Sequence, residues 1–149
     1  MIKIGNVVYA KHMGDVQDDF SGKARFLNGK KFYPSFIWYK NGKRHREDGH
    51  AMIFSHVRKQ WYKNDIPHRE DGPAEIHADG YKAWWQNGQF HREDGPAVIY
   101  VDGTKYWYKN DQKHRDDGPA VIKPDGTREW FRNGQLHRED GPAVIYASG

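Results

Sequence analysis

The sequence predicts an all-β fold: an elongated, open, solenoid-like meander of five to six antiparallel β-hairpin repeats. The first observation is a fixed period. Trp occurs at positions 38, 61, 84, 107 and 130, and His at 45, 68, 91, 114 and 137, so both series step by 23 residues. Such a period is typical of arrays in which each unit stacks on the next. The second is composition: aromatic residues make up 15% of the 149 residues and Gly numbers 16, which favours strands and tight turns.

The period divides the chain into two regions within one continuous domain. Residues 1–37 are predicted to form an N-terminal cap with a degenerate repeat, because RFLNGKKFY (Arg25–Tyr33) has the aromatic–x–Asn-Gly pattern of the later units. Residues 38–149 hold five repeats, with bounds 38–60, 61–83, 84–106, 107–129 and 130–149.

Each unit is predicted to contain one hairpin of two short strands and one loop. Asp-Gly, as in Asp102-Gly103, lies between two strand-like runs and is expected to form a two-residue turn. Glu-Asp-Gly-Pro is expected to form a wider turn, and its proline marks the entry to the next strand. Two strands at roughly 4.8 Å each would advance the array by about 10 Å per unit.

The two-residue turn also assigns side chains to faces. It would place Val98 opposite Trp107, so that the Ala and Ile of each unit share a face with the aromatic residue after each Trp. The Trp side chains would lie on the other face. That face carries Glu75 and His77 where other units have Val and Tyr, so it is expected to be partly wet, with the Ala/Ile face buried.

The Trp face is the candidate binding surface. Aromatic residues edged with cations bind single-stranded nucleic acid or other planar anions. The alternative is a purely structural ladder, in which Lys and Arg stems cover stacked indoles. The departures from consensus place the predicted surface on the second and third units, although drift on a solvated face would produce the same departures. The candidate binding residues are Lys59, Trp61, Lys63, Glu75, His77, Lys82, Trp84, Lys105, Trp107 and Lys109.

The His-Arg-x-Asp sequence of each unit is interpreted as architecture. Histidines one unit apart would be about 10 Å apart, too far to share a metal ion. Five copies in equal environments also argue against acid–base catalysis, which needs carboxyl groups in different environments. Arg is expected to pair with a carboxylate and His to fix the loop. The structural residues are His45, Arg46, Asp48, His68, Arg69, Asp71, His91, Arg92, Asp94, His114, Arg115, Asp117, His137, Arg138 and Asp140.

The order aromatic–x–Asn-Gly–x–x–His followed by Asp-Gly, with its 23-residue period, resembles the MORN repeat. The resemblance covers Trp38–Gly149 and, more loosely, the chain from Arg25. It implies an open β-hairpin array with a binding or scaffolding role. MORN units usually continue His-Gly-x-Gly, where this chain has His-Arg-Glu-Asp-Gly-Pro-Ala. Because the loop differs, phospholipid and partner contacts ascribed to MORN proteins are not carried over.

These patterns predict a non-enzymatic protein with an extended surface for a macromolecular partner, most simply another protein. Two alternatives remain: a nucleic-acid, nucleotide or polyanion binder, and a small inhibitor or antitoxin-like protein that sequesters one target. The net charge of +4 permits an anionic partner without requiring one. The chain has no Cys, and no cofactor, metal site or membrane span is expected. A cytoplasmic location is expected, and the uncharged run Ala143–Tyr146 suggests a homodimer through a C-terminal edge strand.

Overall fold

The computed structural model describes residues 2–4, 7–10, 15–26, 35–54 and 57–147, and these form an all-β fold. The strands are β1 (Ile2–Ile4), β2 (Val7–Ala10), β3 (Gly22–Phe26), β4 (Phe36–Lys40), β5 (Lys43–Arg44), β6 (Met52–Phe54), β7 (Arg58–Gln60), β8 (Tyr62–Lys63), β9 (Ile66–Pro67), β10 (Glu75–His77), β11 (Lys82–Ala83), β12 (Trp85–Gln86), β13 (Gln89–Phe90), β14 (Val98–Ile99), β15 (Lys105–Tyr106), β16 (Tyr108–Lys109), β17 (Gln112–Lys113), β18 (Val121–Ile122), β19 (Arg128–Glu129), β20 (Phe131–Arg132), β21 (Gln135–Leu136) and β22 (Val144–Ile145).

The strands form one large sheet and a set of separate short hairpins. The large sheet has the order β1-β2-β3-β4-β6-β7-β10-β11-β14-β15-β18-β19-β22, with β5 paired to β4. The pair β2–β3 is parallel and the other pairs are antiparallel. Four hairpins stand apart from it: β8–β9, β12–β13, β16–β17 and β20–β21. A full unit therefore contributes four short strands, two to the large sheet and two to a hairpin, and the prediction of two strands per unit was wrong.

The two-residue turn lies at the Asn dipeptide and not at Asp-Gly. In β12–β13, Gln86 pairs with Gln89, which leaves only Asn87-Gly88 in the turn. Both turn residues have positive φ, 51° and 82°, as a type I′ turn requires. Asn and Asp tolerate this region better than other residues with a side chain. This tolerance allows Asn64-Asp65 to form the same turn, with φ values of 53° and 68°.

The Asp-Gly turn is one residue longer than predicted. The Tyr100 N–H donates to the Thr104 carbonyl (2.9 Å), so three residues separate the paired positions. Only the glycine is left-handed, with φ 89° at Gly103. The carboxylate of Asp102 caps the turn by accepting the Thr104 N–H (2.8 Å). The predicted register was therefore wrong by one residue.

That slip exchanges the faces of every returning strand. Val98 pairs with Tyr106, and Ile99 pairs with Lys105. Consequently Ala97 and Ile99 share a face with Lys105 and Trp107, whereas Val98 shares the opposite face with Tyr106, and the other units follow the same pattern of positions. The predicted grouping of Ala and Ile with the aromatic residue after Trp is wrong.

The core is a row of paired residues that crosses the large sheet on the face toward the hairpins. Tyr106 in this row contacts Tyr108 of β16, with ring centroids 6.1 Å apart, so the hairpins lie over the row. Burial of an aliphatic side chain stabilises the folded state by about 1.5–3 kcal/mol. The buried apolar residues of this row are Val8, Ala24, Ile37, Met52, Ala83, Val98 and Val121.

An N-terminal segment closes the hairpin layer at its first unit. The Gly42 N–H donates to the Phe20 carbonyl (2.8 Å), and the Asn41 N–H donates to Ser21 Oγ (2.8 Å). In the third unit, Gly88 donates in the same way to Pro67 of the preceding unit (2.9 Å). Residues 15–21 thus occupy, next to the first unit, the position that the hairpin of a preceding unit occupies next to each later unit. Residues 27–34, which carry most of the predicted degenerate repeat, lie outside the described residues.

Candidate binding surface

The outer face of the large sheet, away from the hairpins, carries an alternating row of aliphatic and cationic residues. Each is the register partner of the next, so they lie one strand apart, about 4.8 Å. The cations are exposed and the isoleucines are half-buried, except for the more exposed last one. We call this set the Ile/Lys row. It consists of Ile53, Lys59, Ile76, Lys82, Ile99, Lys105, Ile122, Arg128 and Ile145.

The tryptophans lie on the same outer face, two residues farther along each strand. The backbone N–H of each donates to the Ala carbonyl of its own unit at 2.8 Å, as Trp84 does to Ala97. Each indole is half-buried. The arrangement brings the predicted Lys59, Trp61, Lys82, Trp84, Lys105 and Trp107 together on one face.

An arginine covers one face of every one of these indoles. The distance from the guanidinium carbon to the ring centroid lies between 4.0 and 4.4 Å in the five units, and is shortest for Arg92 over Trp84. The arginine of the His-Arg-x-Asp loop thus packs on the Trp of its own unit. The tryptophans therefore present less free aromatic surface than an open stacking platform would.

Each arginine is held in place by its own loop. Arg92 Nε donates to Asp94 Oδ1 at 2.8 Å, and Arg92 Nη1 donates to the Pro96 carbonyl at 3.3 Å. A Cβ at position 95 would lie 3.0 Å from the guanidinium carbon, so glycine lets the arginine lie along the chain. The hydrogen bond from Arg92 also holds the pKa of the Asp94 carboxyl below its usual value. Asp48, Asp71 and Asp117 each pair with the arginine of their own loop, and the pKa of each carboxyl is lowered in the same way.

The histidines join one unit to the next. Nδ1 of His91 lies 2.8 Å from Oδ1 of Asn110, and His45 and His114 make the same contact at 2.8 and 2.9 Å with Asn64 and Asn133. The backbone N of the asparagine also lies 3.1–3.4 Å from Nδ1 of the histidine in all four pairs, and for His68 and Asn87 this is the contact that joins the units. Nε2 of each histidine faces the carboxylate two residues later, at 3.2–3.7 Å. Sequence reasoning missed that the turn asparagine is the partner of the histidine.

Open clefts lie between consecutive His-Arg-x-Asp loops. Their volumes are about 600, 590 and 500 Å³. The predicted Lys63 and Lys109 line two of these clefts, as Arg132 lines the third. Lys63 and Lys109 belong to the hairpins β8–β9 and β16–β17, so they are not members of the Ile/Lys row.

Glu75 and His77, the departures from consensus, do not lie on the Trp face. Glu75 belongs to the core row and is only 9% exposed. Its carboxylate lies 2.7 Å from Arg58 Nη2 and 2.7 Å from His77 Nε2. The prediction that a wet face tolerates this charge was wrong: the charge is buried and paired.

This cluster continues into a group of aromatic rings. The His77 and Tyr81 rings are 4.7 Å apart, and Tyr81 is 5.5 Å from Tyr100. Burial raises the pKa of Tyr81 to about 12, with a smaller contribution from the Glu75 charge. Arg58 and Gln60 also depart from the residues of other units, such as Thr104 and Ala83. A column-by-column comparison of the repeats would have found these two in the sequence.

Within the described residues, no group of three or more His, Asp or Glu side chains is placed to hold a metal ion. The same part of the chain contains no helix that is long and apolar enough to cross a membrane. No protein-family model matches this chain, and no curated protein matches it.

Proposed function

We propose that this protein is a non-enzymatic repeat protein whose outer sheet face binds a macromolecular partner, namely another protein with apolar and acidic residues. The observation that carries the proposal is the Ile/Lys row. It alternates aliphatic and cationic side chains in register over nine neighbouring strands. Val57 and Val101, in the turns beside these strands, are 56% and 60% exposed. A contiguous surface of partly exposed apolar residues edged by charges is a feature of interaction sites.

The alternation favours a protein over a nucleic acid. A polyanion would neutralise the lysines but leave the isoleucines between them in water. A protein surface can cover the isoleucines and pair its carboxylates with the lysines. Stacking of bases would also compete with the arginines that already lie on the tryptophans. The resemblance to MORN repeats supports the same class of function.

The test is affinity capture with the whole chain, followed by binding measurements on the captured partner. The triple variant Ile76→Ser, Ile99→Ser, Ile122→Ser is expected to weaken binding at least tenfold, since each substitution removes an apolar contact. A control variant changes the His-Arg-x-Asp loops, away from the Ile/Lys row, with Glu70→Gln and Glu93→Gln. It should bind as the wild type does.

Equal binding by the triple variant and the wild type would contradict the proposal. Binding of a labelled single-stranded oligonucleotide, with affinity falling steeply as salt rises, would favour the polyanion alternative. If the captured partner is an enzyme that loses activity in the complex, the inhibitor alternative is the better description.

The edge strand β22 supports a second interaction, the pairing of two copies around a two-fold axis. Among the described residues β22 pairs only with β19, and Tyr146 beside it is 77% exposed. Strand β1 lies at the other end of the sheet order, so it does not cover β22. Sedimentation of residues 1–149 should show a dimer that Ile145→Lys weakens. A monomer at high concentration would contradict this pairing.

A further inference from the structure

A small cleft lies between the large sheet and the hairpin layer, on the other side of the sheet from the Ile/Lys row. Its volume is about 230 Å³. The sheet contributes Arg58, Gln60 and Glu75 to its lining, and the adjoining Trp61 and Ala74 complete it. The hairpins contribute Tyr62, Pro67 and Trp85. The cleft thus joins polar groups of the sheet to aromatic and apolar walls from the hairpins.

Two buried N–H donors of this lining are unused. Arg58 Nε and Trp85 Nε1 are both inaccessible to solvent and make no hydrogen bond within the described part of the chain. The carboxylate of Glu75 is already engaged, because Arg58 Nη2 and His77 Nε2 both contact the same oxygen at 2.7 Å. The groups left without partners are therefore donors. They suit a ligand that accepts hydrogen bonds, since a buried donor without a partner is costly.

Arg58 and Gln60 of the lining are particular to this unit. Position 58 corresponds to Tyr81, Thr104 and Thr127 in later units, and position 60 corresponds to Ala83, Tyr106 and Glu129. The Tyr106 ring packs on Tyr108, at a centroid distance of 6.1 Å. Tyr108 corresponds to Tyr62. In that later unit the Tyr106 ring fills the space beside Tyr108, whereas here Gln60 leaves the space beside Tyr62 open.

We propose that this cleft binds a small planar molecule that carries a carboxylate or another hydrogen-bond-accepting carbonyl group. The accepting oxygens would take the N–H groups of Arg58 and Trp85 once the side chains that cover these two atoms shift aside, and the ring would lie against Tyr62 and Pro67. An apolar cavity of about 150 Å³ holds one benzene molecule. A cleft of about 230 Å³ therefore has room for a single ring and its carboxyl group.

The probe for this proposal is benzoate, titrated into the full chain while the indole N–H resonances are followed by NMR. Benzoate should shift the Trp85 indole resonance with saturable dependence on concentration, whereas benzylamine, a donor of the same size, should not. Benzamide separates the two acceptor chemistries, since it presents a carbonyl without a charge. Weaker binding of benzamide than of benzoate would assign the site to carboxylates.

Two variants place in the cleft residues that other units already use at those positions. Trp85→Phe copies Phe131 and removes only the N–H donor with part of the ring, and Arg58→Thr copies Thr104. Each should lower the affinity for benzoate about tenfold, the usual effect of losing one hydrogen bond to a charged group. For Trp85→Phe, binding is followed on the benzoate resonances. The matched control Tyr108→Phe changes the position equivalent to Trp85 in the next unit and should leave the affinity unchanged.

The proposal is overturned if neither benzoate nor benzamide shifts the Trp85 resonance at millimolar concentration. It is also overturned if Tyr108→Phe weakens binding as much as Trp85→Phe does. Thermal unfolding by circular dichroism shows whether Arg58→Thr is folded. If it is not, Trp85→Phe decides the question alone.

Discussion

The first four His-Arg-x-Asp loops and the fifth have nearly the same sequence but different surroundings. The histidine side chains of the first four are 8%, 14%, 11% and 14% exposed, whereas that of His137 is 47% exposed. In the first four, the turn asparagine of the following unit contacts the histidine. Burial of the loop is therefore a property of two neighbouring units together.

The arginines behave differently from the histidines across the same comparison. Arg138 lies 4.1 Å from the Trp130 ring, as close as the arginines of the earlier units. Its distance to Asp140 is 3.3 Å, against 2.8 Å in the other four loops. The Arg–Trp contact thus forms within a unit, whereas the histidine contact needs the neighbour.

The largest expected effect comes from removing an internal tryptophan. Trp84→Ala should lower the free energy of unfolding by about 3 kcal/mol, because it removes a half-buried ring and the surface on which Arg92 packs. Trp130→Ala should cost about 1–2 kcal/mol, since fewer units pack around it. Urea unfolding followed by circular dichroism measures both. Equal losses would mean that neighbours add nothing to the Trp contact.

The histidines should separate the two kinds of loop more sharply. His91→Ala removes the contact with Asn110 and should cost about 1–2 kcal/mol. His137→Ala removes a half-exposed side chain that contacts no following unit among the described residues, and should cost less than about 0.5 kcal/mol. The same unfolding experiment applies. A loss at position 137 as large as that at 91 would contradict the comparison.

A smaller effect depends on pH and concerns the first unit, where His50 takes the place of proline. The His50 ring lies between Trp38 and Trp61, at 5.7 and 5.5 Å. Burial lowers the pKa of His50 from its usual 6.5, and the charge of Arg46 adds to this. The unfolded chain therefore binds this proton more readily than the folded one, so stability falls as pH drops through 6.5 toward the folded pKa.

The variant His50→Pro, which restores the residue of the other units, should remove this part of the pH dependence. Unfolding by urea at a series of pH values on both sides of 6.5 measures it. Asp48→Asn in the same loop serves as a control, because its effect belongs to a lower pH range. A wild-type profile that is flat through 6.5 would show that His50 binds its proton equally in both states.

The smallest expected effect is a change in the loss of stability at acidic pH when a loop aspartate is replaced. The folded pKa values of Asp48, Asp71, Asp94 and Asp117 lie below the usual 3.8. Their contribution is present above that value and is lost as pH falls through the folded pKa. All four carboxylates are exposed, so Asp94→Asn should make the acid loss only slightly shallower. A marked change in the acid midpoint would mean that this pair contributes more than an exposed ion pair does.

The repeat, the all-β class and the presence of two turn sequences could be predicted from the sequence, because period and turn residues are local properties. Which of the two sequences forms the two-residue turn could not be predicted. Asp102-Gly103 is compatible with a two-residue turn and with a three-residue turn that has glycine in the left-handed position. One residue of difference exchanges two faces. The prediction therefore placed Ala and Ile of each unit on the wrong face.

The candidate site was predicted only in part, for a related reason. Lys82 and Trp84 lie two residues apart on one strand and share a face whichever register applies. The position of Glu75 depends on Arg58, which belongs to the neighbouring strand, and a single unit read alone does not contain that partner. Charge at this position of a repeat predicts exposure, whereas the Glu75 carboxylate is buried and paired with Arg58 across the sheet.

The contacts between neighbouring units share one further property, their short and similar separation in sequence. In the described part of the chain, the side-chain hydrogen bonds and ion pairs that join units span 16 to 21 residues. The entropy lost in closing each such segment is therefore nearly the same for every unit and does not grow with the number of units. Folding can begin at any adjacent pair and spread in both directions, so an added unit would lengthen the protein without slowing its first folding step.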